Sequence, residues 1–154
     1  MIITKSAAEL EIMREAGRVT ATALRVVAAA VRPGVTTSEL DEIAEAAIRD
    51  AGALPAFKGY HGFPATLCTS VDSQVVHGIP GPRVLREGEI LSVDCGAIVD
   101  GYYGDSAMTF PVGAVSEQAR RLMDVTRKSL PHIQCELPNI AMVRAVSSVL
   151  RTSG

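Results

Sequence analysis

The stretch Ile90–Val112, ILSVDCGAIVDGYYGDSAMTFPV, constrains the fold of this chain more than any other. Leu91, Val93, Cys95, Ala97 and Val99 alternate with Ser92, Asp94, Gly96 and Ile98, the period-two pattern of a half-buried strand. Asp100-Gly101 is a strong two-residue hairpin turn, because both positions tolerate positive φ. With those two residues as the loop, Val99 stands opposite Tyr102, Ile98 opposite Tyr103, Gly96 opposite Asp105 and Asp94 opposite Ala107. Side chains alternate between faces, so Asp94 and Asp105 share one face as diagonal neighbours, with backbones about 7–8 Å apart. Gly96 and Ala107 on that face are small and are expected to leave the space open.

Two carboxylates this close repel unless one is protonated or a cation lies between them. Hard divalent ions prefer carboxylate oxygens, which makes a cation the attractive reading. The plainer alternative is that Asp94 faces solvent and Asp105 caps a loop. Spacing alone leaves both standing.

The remaining sequence narrows the class. At 154 residues, with 47 % apolar and 21 % charged residues, the chain has the length and composition of one globular domain. A net charge of −2 gives no electrostatic reason to expect nucleic acid or an anionic membrane. Cys68, Cys95 and Cys135 form no close-spaced pair and fit buried thiols in a reducing compartment. No apolar run reaches transmembrane length, and MIITKSAAELEIM carries charges where a signal peptide needs its apolar segment. The cytoplasm is therefore the expected location.

Ser6–Val31 has a helical pattern, opened by a Ser6/Glu9 capping box and closed by Arg32-Pro33-Gly34. A second helix starts at Thr36, with Glu39 at capping-box spacing, carries Leu40, Ile43, Ala44, Ala47 and Ile48 as its buried stripe, and stops at Gly52. Strands are expected at Leu54–Phe57, Ala65–Ser70 and Gln74–Val76, with a glycine-rich aromatic loop at Lys58–Pro64. From Ser116 a further helix is expected to bury Ala119, Leu122, Met123, Thr126 and Leu130; a short one is expected over 139–150. Two helices followed by strands predict an α+β layer, helices packed on one face of a mostly antiparallel sheet. His77, with Gly78 after it and Val75, Val76 and Ile79 around it, is either a structural histidine or a proton donor or acceptor facing a cleft. Tyr60 and Phe63 either line an apolar pocket or close the core, and Cys68 is most simply a small buried hydrophobe.

The stretches GYHGFPATLCTSVDSQVVHGIP (59–80) and ILSVDCGAIVDGYYGDSAMTFPVG (90–113), at consistent spacing and preceded by PGVTTSEL, resemble the type I methionine aminopeptidases of the pita-bread metallopeptidase superfamily. The resemblance covers residues 1–130. It implies the amino-terminal half of a pita-bread (creatinase/aminopeptidase) fold, followed by a dissimilar tail over 131–154. It also implies metal-dependent removal of the amino-terminal methionine from nascent polypeptides. Two divalent metal ions (Co, Mn, Fe, Zn or Ni) are implied as cofactors, with Asp94 and Asp105 as ligands and Asp105 bridging. His77 matches the histidine beside the scissile amide, and Tyr60, Phe63 and Cys68 match the methionine side-chain pocket. Phe57 and Val76 stand where many members carry cysteine. Family members are monomers that meet nascent chains near the ribosome, with no nucleic-acid or membrane partner.

In the family, a second half supplies a ligating histidine, another histidine beside the substrate and two glutamate ligands. No such motif follows Leu130 here, so the expectation is a shortened or frameshifted reading frame with weak activity or none alone. The alternative is a non-catalytic pita-bread half acting as an interaction or assembly module. A proline-directed peptidase of the same superfamily is a third reading, against which the pattern at Tyr60, Phe63, Cys68 and His77 speaks.

Overall fold

The computed structural model describes residues 4–136. Helix α1 (Ala7–Ala30) opens on the Ser6/Glu9 capping box, with the Ser6 hydroxyl accepting from the Glu9 N–H and the Glu9 carboxylate accepting from the Ser6 N–H at 2.7 Å. Helix α2 (Thr37–Asp50) repeats the device with Thr36 and Glu39. Gly52, at φ 74°, ends α2 by donating to the Arg49 carbonyl at 2.9 Å, the left-handed cap that glycine adopts without a Cβ penalty.

Strands β1 (Leu54–Pro55), β2 (Leu67–Val71), β3 (Ile90–Val99) and β4 (Tyr102–Pro111) form one antiparallel sheet. β3 is its spine. β1 and β2 pair successive stretches of one edge of β3, and β4 pairs the whole of the other. The hairpin register is the one the Asp100-Gly101 loop dictates: Val99 opposite Tyr102, Gly96 opposite Asp105, Asp94 opposite Ala107. Both loop residues have positive φ, 47° and 81°, as a primed turn requires.

The odd-numbered residues Leu91, Val93, Cys95 and Ala97 face the helices and are fully buried with Val27, Leu40, Ala44 and Ile48. Burial in this core pushes the Cys95 thiol up to about 12, with Asp94 the next cause, so it behaves as an inert hydrophobe. α1 lies directly on β4 at Gly104, where an added Cβ would strike the Ala16 carbonyl. The α+β architecture with helices on one face is thus as expected, and the opposite face of β3–β4 is left for chemistry.

Several local expectations change. β1 spans only Leu54–Pro55, with one further bond to β3 from the Ala56 N–H to the Gly96 carbonyl at 2.9 Å, and β2 runs Leu67–Val71 rather than Ala65–Ser70. Gln74–Val76 is no strand. The Gln74 side chain accepts from the Val71 N–H at 2.8 Å and turns the chain, leaving Val75 88 % exposed. The third helix, α3 (Glu117–Glu136), runs past Leu130. It buries no apolar face among its described side chains: Leu122 and Val125 are 59 % and 57 % exposed, because no other described element covers them. The helix expected over 139–150 lies outside the described residues.

Candidate metal centre

On the open face of the hairpin, Asp94 comes from the middle of β3 and Asp105 from β4, diagonal across Gly96 and Ala107. Asp105 is exposed in mid-strand and caps no loop. The half-buried Asp94 carboxyl is pushed up to about 6, first by burial and then by the facing Asp105 carboxylate, while the field of His77 draws it back. Ion-free, the pair is an electrostatic liability. A cation between the carboxylates relieves it, and their all-oxygen character suits a hard divalent ion. Among the described residues no group of three or more His, Cys, Asp or Glu side chains could hold a metal ion, so this ligand set is incomplete.

The space at Gly96 is not open, contrary to expectation. A Cβ there would come within 2.8 Å of the Ala56 Cβ and 2.9 Å of Phe57 Cε1. The segment after β1 folds over the sheet so that the Phe57 ring lies against Gly96, the residue between the two aspartate positions on that face. Only glycine at position 96 allows that approach.

Cys68 stands directly opposite Asp94 in the β2–β3 ladder, on the same face. It is 7 % exposed, and burial followed by Asp94, Asp105 and Asp41 raises its thiol to about 11. It is a neutral apolar wall at physiological pH, as well as the buried hydrophobe the sequence indicated. His77 lies on the far side of β2, exposed and at φ 58°, a conformation sparsely used by non-glycine residues. Gly78 holds it there: its carbonyl accepts from the Thr69 N–H at 2.7 Å, its N–H donates to Ser70 Oγ at 3.2 Å, and any Cβ would strike the Thr69 carbonyl. The His77 side chain makes no hydrogen bond among the described residues; it is exposed, and its field reaches Asp94.

The profile of metallopeptidase family M24 matches residues 11–138. The chain belongs to that metallopeptidase family. It is 52 % identical over 130 residues to the methionine aminopeptidase of Clostridium acetobutylicum, an alignment covering 84 % of this chain and 52 % of that protein. Methionine aminopeptidase 1 of Bacillus subtilis gives the same identity over the same length and coverage. Among solved structures, the methionine aminopeptidase from Thermotoga maritima superposes with a TM-score of 0.83 at 41 % identity, covering 86 % of this chain and 53 % of that one. A prolidase from Pyrococcus furiosus, at 21 % identity and a TM-score of 0.74, shares the fold alone. This M24 chain thus spans about half the length of the curated relatives it matches. None of its described helices is long and apolar enough to cross a membrane.

The structure brings Asp94, Asp105, Cys68 and His77 together, and leaves Tyr60 and Phe63 in the neighbouring aromatic loop. Tyr60 is 66 % exposed and packs edge-on against His61, with ring centroids 4.3 Å apart, so it does not close the core. Phe63 is half-buried. It also lines no described part of the 370 Å³ hollow bounded by Arg49, Leu54, Lys58, Tyr60, Ile98 and Tyr103. Sequence reasoning missed Asp41, which positions the site from below. One of its oxygens accepts from the N–H groups of both Thr66 (2.9 Å) and Leu67 (2.7 Å), pinning the start of β2 to α2. The signal was present, since Asp41 falls on the same helical stripe as Thr37, Ala44 and Ile48.

Proposed function

We propose that this chain carries the two-aspartate half of a methionine aminopeptidase centre, which releases the first residue from amino termini of nascent polypeptides in the cytoplasm. The observation that carries the reading is the convergence of Asp94 and Asp105 on one sheet face, within the field of His77. Asp94 and Asp105 would be the carboxylate ligands this chain contributes to the divalent cations. Such ions supply Lewis-acid polarisation of an amide carbonyl and a more acidic bound water. The chain's own residues do the rest. His77, held by Gly78, orients the scissile amide and exchanges a proton at its nitrogen. Tyr60, Phe63 and Cys68 receive the apolar side chain of the first residue, and Phe57 covers Gly96 between the two aspartate positions.

Two carboxylates fall short of the roughly six oxygen donors a hard cation takes. The chain alone is therefore a weak metal binder with little or no turnover. Calorimetric titration with Mn²⁺ tests the binding: weak uptake that disappears in Asp94→Ala and Asp105→Ala supports the reading, and uptake indifferent to both variants overturns it. Turnover of a Met-Ala-Ser peptide is expected only after a carboxy-terminal half from a relative is added. Robust turnover by the chain alone, lost in the same variants, would refute the claim of an incomplete site.

A second reading, a non-catalytic module for interaction or assembly over residues 1–130 with a dissimilar tail over 131–154, is favoured by the exposed Leu122 and Val125 of α3. It predicts pull-down of a complementary half without restored hydrolysis.

A further inference from the structure

The aromatic loop between β1 and β2 is fastened at both ends to one turn of α2. Asp41 and Glu45 stand one turn apart on that helix, so their carboxylates share a face. Like charges at this spacing disfavour a helix unless other groups answer them. Here the loop answers both. At its entry the Lys58 ammonium donates to Glu45 Oε2 at 2.6 Å, and at its exit Thr66 Oγ1 donates to the same oxygen at 3.4 Å. The Thr66 and Leu67 N–H groups occupy Asp41. Arg49 reaches the other Glu45 oxygen, Oε1, at 2.9 Å and braces it from within the helix. Lys58 first, and then Arg49, hold the Glu45 carboxyl below the usual carboxylate range.

Between those ends the backbone is costly. Gly59, His61 and Gly62 have φ of 88°, 47° and 82°, and the Gly59 N–H closes on the Phe63 carbonyl at 2.8 Å. A non-glycine residue such as His61 keeps that conformation only where its surroundings impose it. Tyr60 and Phe63 both lie within the closed turn, so the points at which its ends are held decide where their rings stand. All of these contacts fall inside residues 11–138, the stretch matched by the metallopeptidase family.

We propose that Glu45 is a positioning residue, which with Asp41 clamps the loop so that Tyr60 and Phe63 stand ready before a ligand arrives. One of its oxygens serves the helix and the other the loop. The benefit to the first residue of a substrate rests on the pocket reading above; the clamp itself does not.

Amide hydrogen exchange on the isotope-labelled full chain tests the clamp. In Glu45→Gln and in Lys58→Met the Gly59 and Phe63 amides are expected to exchange about tenfold faster, the factor for losing one charge-assisted bond between partly exposed partners. The amides of β3 should keep their wild-type rates, because the clamp lies outside that ladder. Lys58→Arg, which keeps the charge, should stay close to wild type. The double variant should exchange no faster than either single one, since both remove the same bond. Unchanged loop amides, an equal acceleration in β3, or additive effects in the double variant would each overturn the clamp. Titration of the chain with L-methionine amide then reads the pocket. Shifts at the Tyr60 and Phe63 amides are expected, with affinity weakened about threefold or more in Glu45→Gln as the ready fraction of the loop falls. Faster exchange with unaltered affinity overturns the positioning role. An absence of shifts in the wild type overturns the pocket reading and the positioning role together, while the exchange rates still decide the clamp.

Discussion

Replacing Asp94 by asparagine should stabilise the metal-free protein at alkaline pH, although it removes a residue at the heart of the site. Asp94 is raised from 3.8 to about 6 in the folded chain by burial and by Asp105. A carboxyl whose folded pKa lies above its unfolded value weakens the fold at high pH, and the penalty disappears as pH falls from above 6 toward 4. A rise of that size corresponds to at most ~3 kcal/mol, and screening of a half-exposed group reduces this to ~1 kcal/mol. Asparagine keeps the shape and deletes the charge. In EDTA at pH 8, Asp94→Asn should therefore gain ~1 kcal/mol, a rise in Tm of about 2–4 °C for a chain of this size. At pH 4.5 most of the gain should vanish. Saturating Mn²⁺ should reverse the order, because an ion that binds only the folded wild type stabilises it by mass action. Thermal unfolding followed by circular dichroism under the three conditions decides the matter. An Asp94→Asn protein no more stable than wild type at pH 8 in EDTA would refute the account of the acid pair.

Asp41→Ala leaves two backbone N–H groups at the start of β2 without their acceptor and should cost about 2–3 kcal/mol by urea unfolding. Gly78→Ala forces the backbone away from the Thr69 carbonyl and should destabilise by about 1–3 kcal/mol, with altered chemical shifts for the His77 ring. Leu122→Ser, on the exposed side of α3, should change stability by less than about 0.5 kcal/mol, in contrast to ~3 kcal/mol for Leu40→Ala in the closed core.

The hairpin, its register and both capped helices were legible because each is fixed by a local rule. A turn dipeptide sets strand pairing residue by residue, and a Ser or Thr three positions before a Glu sets a helix start. Asp94 and Asp105 followed from that register without any tertiary information. The misplaced features depend on contacts between distant segments. Val75 and Val76 have the apolar, β-branched character of a strand, but Gln74 turns the chain at Val71 and leaves them without a partner. The apolar stripe of α3 is evident from periodicity, but periodicity reports which side of a helix is apolar, not whether anything covers it. The missing side chain at Gly96 suggests space, whereas glycine there marks a close approach by Ala56 and Phe57.

Glu9 completes the capping box of α1 and also accepts from the Tyr102 hydroxyl at 2.7 Å. The two partners are 93 positions apart in the chain. At synthesis rates of about 5–20 residues per second, α1 leaves the ribosome roughly 5–20 s before the hairpin that must cover it. For that interval Ala23, Leu24 and Val27, fully or almost fully buried in the finished fold, have no sheet to lie against. The order of the elements along the chain thus sets a waiting time. During it the first helix depends on α2, or on a chaperone, to keep its apolar side from other chains.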